Sequence, residues 1–368
     1  MMILFSPPFQ RMLQGDNAGS DLSEEIRIMT HGRTVGIVGA GIAGLACARE
    51  LAASGFDVTV FDKGRGLGGR TATRRAEPNL RFDHGAQFFT ADDPRFQEMM
   101  ADWLEREVVA EWTGKIVRLE NSRPENKIVI DSPLQPRYVG MPGMSAIAVD
   151  LAVGLCVRTG TQIVAITQTS SGWAITSEAN EMFGPFNTLV ITLPAPQSAA
   201  LLGTHHFGAV ASRVEMSACW TVMAAFESRV EVPWDGAFVH DSPLAWVARN
   251  SSKPGRERDT DCWVLQASSV WSAEHLEAPA DIVEKNLVEA FECLVSGPLP
   301  KQSHVVTHRW RYGQCNEPDR RRILFDSEIG LAVCGDWLAG GRVEGAFLAG
   351  LRAADAVGQH RTSQLGGL

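Results

Sequence analysis

The pattern of apolar positions near residue 35 predicts a strand, a helix and a second strand in close succession. Residues 35–38 form an apolar run, residues 42–54 carry apolar side chains at helical spacing, and residues 56–61 form another apolar run that ends at Asp62. Three glycines lie where the first strand turns into the helix: Gly39, Gly41 and Gly44.

The spacing of these glycines predicts a dinucleotide site. The first glycine allows a tight turn, the second lets a pyrophosphate approach the backbone, and the third lets helix and strand pack closely. The N-terminus of the helix offers free N–H groups to phosphates, and Asp62 is placed to accept ribose hydroxyls. A glycine-rich turn without a ligand is the alternative, but the complete strand–helix–strand context makes the dinucleotide site the stronger interpretation.

Farther along the chain the pattern changes and then returns. Residues 80–89 form a strand-like run that contains a glycine. After residue 205 come short alternating runs, typical of an antiparallel sheet: 218–226, 234–239, 244–247 and 263–267. A strand over 329–333 followed by a helix over 343–357 repeats the strand–helix pattern of the first part.

Composition and charge exclude several classes of protein. The 368 residues are 45% hydrophobic, which is enough for about two domains, and the net charge is -9 with scattered Lys and Arg. Nucleic-acid binding, which needs a concentrated basic face, is therefore not expected. No apolar run is long enough to cross a bilayer, and the first residues lack the features of a signal peptide.

The chain has seven cysteines, an odd number. They lie far apart in the sequence, and none has the spacing typical of metal ligands. We expect reduced thiols, a cytoplasmic location and no bound metal. Residues 1–30 are polar and predict a disordered tail. Met1 and Met29 both remain candidate start residues.

A second glycine-rich loop follows Asp62 and contains Gly68, Gly69 and Arg70. The glycines let a backbone lie against a flat or charged ligand, and the Arg70 guanidinium suits a pyrophosphate. A flavin dinucleotide needs such a second clamp, whereas a simple nicotinamide enzyme does not. A flexible basic surface loop is the alternative.

A third signal lies near the C-terminus, where Gly335 and Asp336 follow a buried strand and Val343 begins a helix. The carboxylate suits ribityl hydroxyls, and the helix N-terminus suits the edge of a flavin that gains negative charge on reduction. An ordinary turn with an exposed acid is the alternative.

Together these motifs resemble the flavin-dependent amine oxidase superfamily, and within it the bacterial renalase-like oxidases. The renalase-like segments are 61–63, 83–88, 141–145, 232–236, 246–250, 253–256 and 310–311. The resemblance covers about residues 33–358, and the segments at 232–236 and 310–311 are the more discriminating ones.

The resemblance implies an α/β fold with an FAD-binding, Rossmann-type, glutathione-reductase-like domain and a mixed β-sheet, α+β substrate domain. The cofactor domain would comprise residues 33–88, 145–200 and 318–360, and the substrate domain 89–144 and 201–317. FAD would be bound non-covalently by Gly39, Ala40, Gly41, Ile42, Ala43, Gly44, Asp62, Lys63, Gly69, Arg70, Ala86, Gln87, Phe88, Val164, Gly335, Asp336, Arg342, Val343 and Ala346.

The resemblance also implies oxidation of aberrant dihydro isomers of NAD(P), with electrons passed to O2 as H2O2. Amine oxidases of the superfamily carry an aromatic residue where this chain has Arg342, and we expect this cation to favour a phosphate-bearing substrate over an amine. Candidate substrate contacts are Trp310, Asn250 and Gln266, for which core packing or sheet hydrogen bonding is the alternative.

Hydride transfer to flavin N5 needs no paired base, so no catalytic side chain is assigned, and His84 is interpreted as structural. Two other functions remain open: a flavin amine oxidase or desaturase, and a non-catalytic flavin-binding module. The preference for NAD or NADP, the physiological acceptor and the oligomeric state are also open.

Overall fold

The computed structural model describes residues 34–120, 127–130, 135–295, 297–319 and 321–365. The predicted tail over residues 1–30 and the choice between Met1 and Met29 lie outside the described residues.

The first ten strands of the described residues are β1 Thr34–Val38, β2 Asp57–Phe61, β3 Thr73–Ala76, β4 Leu80–Asp83, β5 Val109–Glu111, β6 Ile116–Glu120, β7 Lys127–Ile130, β8 Tyr138–Gly140, β9 Cys156–Arg158 and β10 Ile163–Thr169. The others are β11 Gly172–Ser177, β12 Met182–Phe186, β13 Thr188–Ile191, β14 Met216–Phe226, β15 Gly236–Val239, β16 Leu244–Arg249, β17 Asp261–Ala267, β18 Gln302–Cys315, β19 Leu324–Asp326 and β20 Leu331–Val333. The helices are α1 Ile42–Ala53, α2 Pro94–Glu105, α3 Ala146–Leu151, α4 Ala195–Leu202, α5 His206–Ala211, α6 Ser269–Glu274, α7 Ala280–Glu292 and α8 Val343–Leu365.

A six-stranded sheet in the order β19-β20-β13-β1-β2-β9 carries the first and third predicted motifs. Its strands are parallel except for β19, which pairs antiparallel with β20. β1 and β20 both lie next to β13 and run parallel to it. The turns that follow β1 and β20 therefore lie at the same edge of the sheet. The predicted Rossmann-type fold is confirmed.

The helices α1 and α8 cover one face of this sheet, and a small sheet with two short helices covers the other. α1 and α8 pack so closely that a Cβ on Gly350 would lie 2.3 Å from the Ala43 carbonyl oxygen. On the opposite face, the antiparallel sheet β10-β11-β12 and the helices α4 and α5 bury side chains that include Trp173, Phe186 and Leu202.

A seven-stranded sheet in the order β18-β14-β17-β16-β15-β6-β7 forms the second large layer. The pairs from β18 to β15 are antiparallel, as the alternating runs predict, whereas β15 and β6 are parallel. The sheet is therefore mixed, which confirms the expected substrate-domain architecture.

The two faces of the mixed sheet are used differently. Trp220, Val222 and Phe226 of β14 pack in a core with α7, whereas Met223 and Ala225 pack in a core with β4. Alternation along the strands thus turns one face toward β4 and the residues that follow it.

Among the described residues, none of the helices has the length and apolar character that a membrane span requires. All seven cysteines are free thiols. The expected domain boundaries and cytoplasmic location stay predictions.

Candidate cofactor and substrate site

The turn between β1 and α1 has the geometry of a phosphate cradle. Gly39 has φ +113°, a conformation that strains other residues, and a Cβ on Gly44 would lie 1.9 Å from the Gly39 carbonyl oxygen. A Cβ on Gly41 would meet nothing within 4 Å, and α1 has no side-chain cap at its N-terminus. The open space beside Gly41 and the uncapped helix end fit a bound phosphate group.

Asp62 follows β2 and ties this turn to the second glycine-rich loop. Its carboxylate accepts hydrogen bonds from the backbone N–H of Ala40 and of Gly64, both at 2.6 Å. Each oxygen retains a further lone pair, so the carboxylate can also accept the predicted ribose hydroxyls.

The second loop is joined to the first by backbone contacts. The Gly68 N–H donates to the Ala40 carbonyl oxygen at 2.9 Å, and Gly41 and Gly68 form an isolated β-bridge. The two predicted glycine motifs therefore line one crevice.

Arg70 and Asp336 were predicted to bind different parts of the cofactor, and the structure pairs them with each other. The guanidinium donates to both carboxylate oxygens, at 2.6 and 2.9 Å. Because Arg70 also accepts the Ala86 N–H through its carbonyl oxygen, this residue connects the second loop, the third motif and the segment after β4.

The other predicted cofactor residues differ in how far they are exposed. Gln87 is buried, Phe88 is half-buried, and Val343 and Ala346 lie in the first turn of α8. Lys63 is exposed, and the side chain of Val164 on β10 is also exposed. The structure brings the predicted glycine, acid and arginine positions together, while Lys63 and Val164 lie toward solvent.

Asp83 is the centre of a fully buried ionic cluster. One carboxylate oxygen accepts hydrogen bonds from the Thr73 hydroxyl and the Met144 N–H, and the other accepts from Lys253 and Arg256. Burial opposes ionisation, but the two cations hold the pKa of Asp83 below its usual value.

The segment His84–Phe88, called the 84–88 segment below, lies against the face of the mixed sheet that packs on β4, called the inner face below. The Trp310 indole N–H donates to the His84 carbonyl oxygen at 2.8 Å, and the Gln266 amide donates to the Gly85 carbonyl oxygen at 2.7 Å. Five of the segments that carry the family resemblance thus converge here: 83–88, 141–145, 246–250, 253–256 and 310–311.

Asn250 was a candidate substrate contact, and the structure gives it another task. It has no exposed surface, its amide oxygen accepts the Asp83 N–H, and its amide nitrogen donates to the Arg81 carbonyl oxygen. Since its amide is used to hold β4, we leave Asn250 out of the proposed substrate site. Gln266 and Trp310 remain half-buried at the inner face.

Three aromatic rings form a platform on this face, defined by His84, His308 and Trp310. Their ring centroids lie 4.4–4.9 Å apart. Burial, His308 and Arg74 lower the pKa of His84 to about 4, and burial and Arg74 also lower the pKa of His308. Both imidazoles are therefore neutral at pH 7, and Arg74 supplies positive charge to the platform.

The structure does not give the electropositive pocket expected at Arg342. Its side chain is 66% exposed and lies 3.7 Å from the Asp92 carboxylate. It borders a surface cleft of about 800 Å³ that also contains Arg322 and Arg352. Carboxylates outnumber guanidiniums in this cleft: Asp92, Asp93, Glu317, Asp319 and Glu344. The charge of Arg342 is thus offset by its neighbours.

Sequence reasoning missed four residues of the site, namely Arg74, His308, Lys253 and Arg256. The last two lie in the segment 253–256, which carried the resemblance without any assigned role. Arg74 and His308 lie on β3 and β18, and only the tertiary fold brings them beside His84.

A separate group of possible metal ligands, His205, His206 and Asp326, has its ligand atoms within 4.8 Å of one another. The His205 Nδ1 already accepts the Phe207 N–H at the start of α5. We assign no ion to this group, and the expected absence of a metal stays a prediction.

Comparisons with known proteins identify the same architecture. The chain's fold is similar to those of cyclohexylamine oxidase from Brevibacterium oxydans IH-35A (TM-score 0.71, 12% identity, 89% of this chain and 99% of that chain) and a protein assigned as a protoporphyrinogen oxidase from Exiguobacterium sp. 255-15 (TM-score 0.71, 13% identity, the same coverage). A 41-residue stretch is 58% identical to the zeta-carotene-forming phytoene desaturase of Myxococcus xanthus, spanning 11% of this chain and only 8% of that protein.

Two family descriptions match the chain directly. Residues 37–103 match the NAD(P)-binding Rossmann-like domain, in agreement with the cradle at β1 and α1. Residues 133–358, more than half of the chain, match the flavin containing amine oxidoreductase family. The chain therefore belongs to the family of flavin-containing amine oxidoreductases.

Proposed function

We propose that this FAD-dependent oxidoreductase oxidises dihydro isomers of NAD(P), in the manner of the renalase-like oxidases, and returns the electrons to O2 as H2O2. The observation that carries the proposal is the aromatic platform of His84, His308 and Trp310, which is uncharged at neutral pH and near enough to Arg74 for its charge to lower the pKa of both imidazoles. Such a surface suits a flat, neutral ring that carries phosphate groups.

FAD is the cofactor of this family, and the crevice described above fits it. The cradle at Gly41 and the α1 N-terminus would hold the pyrophosphate, Asp62 the ribose, and the Arg70–Asp336 pair the middle of the molecule. When bound, the flavin supplies the hydride acceptor.

The platform residues account for substrate selection in this proposal. Trp310 offers an aromatic surface, and its indole N–H is fixed by the His84 carbonyl oxygen, which holds the ring in one orientation. An ammonium ion is disfavoured because Arg74 is positive and the nearby Asp83 is already paired with Lys253 and Arg256. Phosphate groups, in contrast, are attracted to Arg74.

The proposed reaction needs no side chain that acts as a general acid or base. The hydride of a dihydropyridine lies on a carbon conjugated to nitrogen, so orientation against the flavin is the main requirement. His84 is neutral, and its Nδ1 is buried without a hydrogen-bond partner among the described residues. We assign it packing in the platform rather than proton transfer.

Anaerobic mixing tests the proposal. The 2- and 6-dihydro isomers of NAD(P) should bleach the flavin absorbance faster than the ordinary 4-dihydro form, and primary amines should not bleach it. Arg74→Gln should slow bleaching by the dinucleotides about tenfold, as expected for loss of one interaction with a charged group. Arg75→Gln, an exposed neighbour on the same strand, should leave the rate unchanged.

Bleaching by amines alone would contradict the proposal and support the second candidate, amine oxidation. That candidate draws on the family itself and on the likeness of the fold to cyclohexylamine oxidase. Equal effects of Arg74→Gln and Arg75→Gln would show that Arg74 does not act on the substrate.

A further inference from the structure

The buried cluster around Asp83 carries an unbalanced positive charge. Asp83 and Lys253 have no exposed surface, and Arg256 is 7% exposed. Within the described residues, the ion pairs of this cluster join two cations to one carboxylate. Burying an ammonium group without a counter-ion of its own is costly. Neutralising Asp83, which Arg256 alone can do, therefore does not explain why Lys253 is buried here.

Lys253 reaches further than its salt bridge. Its ammonium donates to the Gln87 amide oxygen at 3.1 Å and to Asp83 at 3.3 Å, and it lies 5.4 Å from the centre of the Trp112 ring. The Gln87 amide nitrogen in turn donates to the carbonyl oxygens of Asp83 and Gly85. Lys253 therefore fixes the orientation of the Gln87 side chain and, through it, the 84–88 segment.

The 84–88 segment also touches the cofactor crevice. The Ala86 N–H donates to the carbonyl oxygen of Arg70, whose guanidinium holds Asp336. A charge that is attached to this segment and shielded from water acts over a longer range than an exposed charge, because the surrounding dielectric is low.

We propose that Lys253 is a positioning residue for the flavin: it holds the 84–88 segment against the cofactor and supplies a buried positive charge that favours reduction. This inference rests on the cofactor placement proposed above and is independent of which substrate the protein oxidises. A reduced flavin carries more negative charge than an oxidised one, so a fixed cation nearby stabilises the reduced form.

Arg256 makes the inference testable. Because Arg256 also pairs with Asp83, replacing Lys253 by an apolar residue leaves the carboxylate neutralised and removes only the surplus charge. Burial lowers the pKa of Lys253 to about 8, against the opposing effect of Asp83. The charge should therefore disappear within a pH range that is accessible to measurement.

The experiment measures the flavin reduction potential by dye equilibration between pH 6.5 and 9.5, together with FAD affinity. Lys253→Met should lower the potential at pH 7 and weaken FAD binding about tenfold, which corresponds to loss of a hydrogen bond from a charged group. In the unaltered protein the potential should fall toward that of Lys253→Met above pH 8. Because flavin reduction takes up a proton, every potential falls with pH, and the proteins are compared at the same pH. Lys253→Arg should keep a potential above that of Lys253→Met across the whole range, since arginine stays charged.

Lys301→Met is the matched control, because Lys301 also pairs with a carboxylate, Glu227, but is 79% exposed. It should change neither quantity. A potential of Lys253→Met equal to that of the unaltered protein at every pH would overturn the proposal, as would equal shifts in the two methionine variants. If Lys253→Met does not fold, Lys253→Arg decides alone, because its potential should exceed that of the unaltered protein above pH 8. Equal potentials of these two proteins at every pH would refute the role of Lys253.

Discussion

At the scale of single residues, the lowered pKa of His84 makes the stability of the protein depend on pH. Burial, His308 and Arg74 lower the pKa of His84 from 6.5 to about 4. Between these values the unfolded chain binds a proton at this position and the folded protein does not. The free energy of unfolding therefore rises with pH over this interval.

We predict that His84→Phe flattens the pH dependence of stability between pH 4 and 6.5, the interval set by the lowered pKa. The full shift corresponds to at most about 3 kcal/mol, because one pKa unit is 1.36 kcal/mol. Urea unfolding at several pH values measures the slope. The carbonyl oxygen that holds Trp310 and Gln266 belongs to the backbone, so these contacts survive the substitution.

The exposed His240 provides the control for this slope. His240→Phe should leave the pH dependence as it is. An identical slope in His84→Phe and the unaltered protein would show that His84 is not held neutral by its surroundings.

At the scale of elements, the proposed cofactor placement puts the adenosine half of FAD against the unit β1–α1–β2. We predict that Asp62→Ala and Arg70→Ala each weaken FAD binding by about 1.5–3 kcal/mol, or roughly ten- to a hundredfold, since each removes a charged hydrogen-bonding group. The loss of Arg70 also leaves Asp336, which is only 8% exposed, without its partner. Fluorescence titration of the apoprotein with FAD measures the affinity.

Two exposed neighbours serve as controls for these variants. Asp57 lies at the start of β2, and Arg65 lies in the same loop as Arg70. Asp57→Ala and Arg65→Ala should retain the affinity of the unaltered protein. Unchanged affinity in Asp62→Ala and Arg70→Ala would mean that the cofactor lies elsewhere.

The elements that sequence predicts well are those whose pattern is local. The turn at Gly39, the helix α1 and the strand β2 are encoded within thirty residues, and the structure reproduces them to within a few residues. The run at 80–89 is different, because its apolar residues predict one strand whereas β4 ends at Asp83. The strand ends where Asp83 enters the ionic cluster. Its partners there, Lys253, Arg256 and Asn250, come from a distant part of the chain, so the local pattern cannot show where the strand ends.

The same limit explains the two substrate candidates that the structure reassigns. Sequence identifies Arg342 as a cation beside a cofactor motif, but its effect depends on Asp92 and the other acids of the cleft, which only folding brings near. Asn250 shows the same dependence, because its partners are backbone groups of β4. Residue identity predicts what chemistry is present, and tertiary contacts decide what that chemistry is used for.

At the scale of the whole molecule, Asp83 at the end of β4 joins distant parts of the chain. It contacts Met144, just before α3, as well as Asn250 and Lys253, which follow β16 of the mixed sheet. We predict that Asp83→Asn destabilises the protein by about 3–5 kcal/mol, because it leaves two buried cations without their counter-ion. Glu227→Gln removes an exposed pair with Lys301 and should cost less than about 1 kcal/mol. Urea unfolding followed by tryptophan fluorescence measures the free energy of unfolding of both variants. Equal decreases in the two variants would show that the buried cluster does not stabilise the protein more than an exposed ion pair does.

The order of strands in the six-stranded sheet has a consequence for biosynthesis. β1 near the start of the described chain pairs with β13, and β13 is flanked on its other side by β20, more than 130 residues farther on. α8, which covers α1, comes later still. A nascent chain that ends within the mixed sheet exposes the apolar surface of α1 and lacks both β20 and Asp336, which follows that strand. We therefore expect FAD to bind only after β20 and α8 have been synthesised, and we expect the emerging chain to rely on chaperones or on rapid completion to protect that surface.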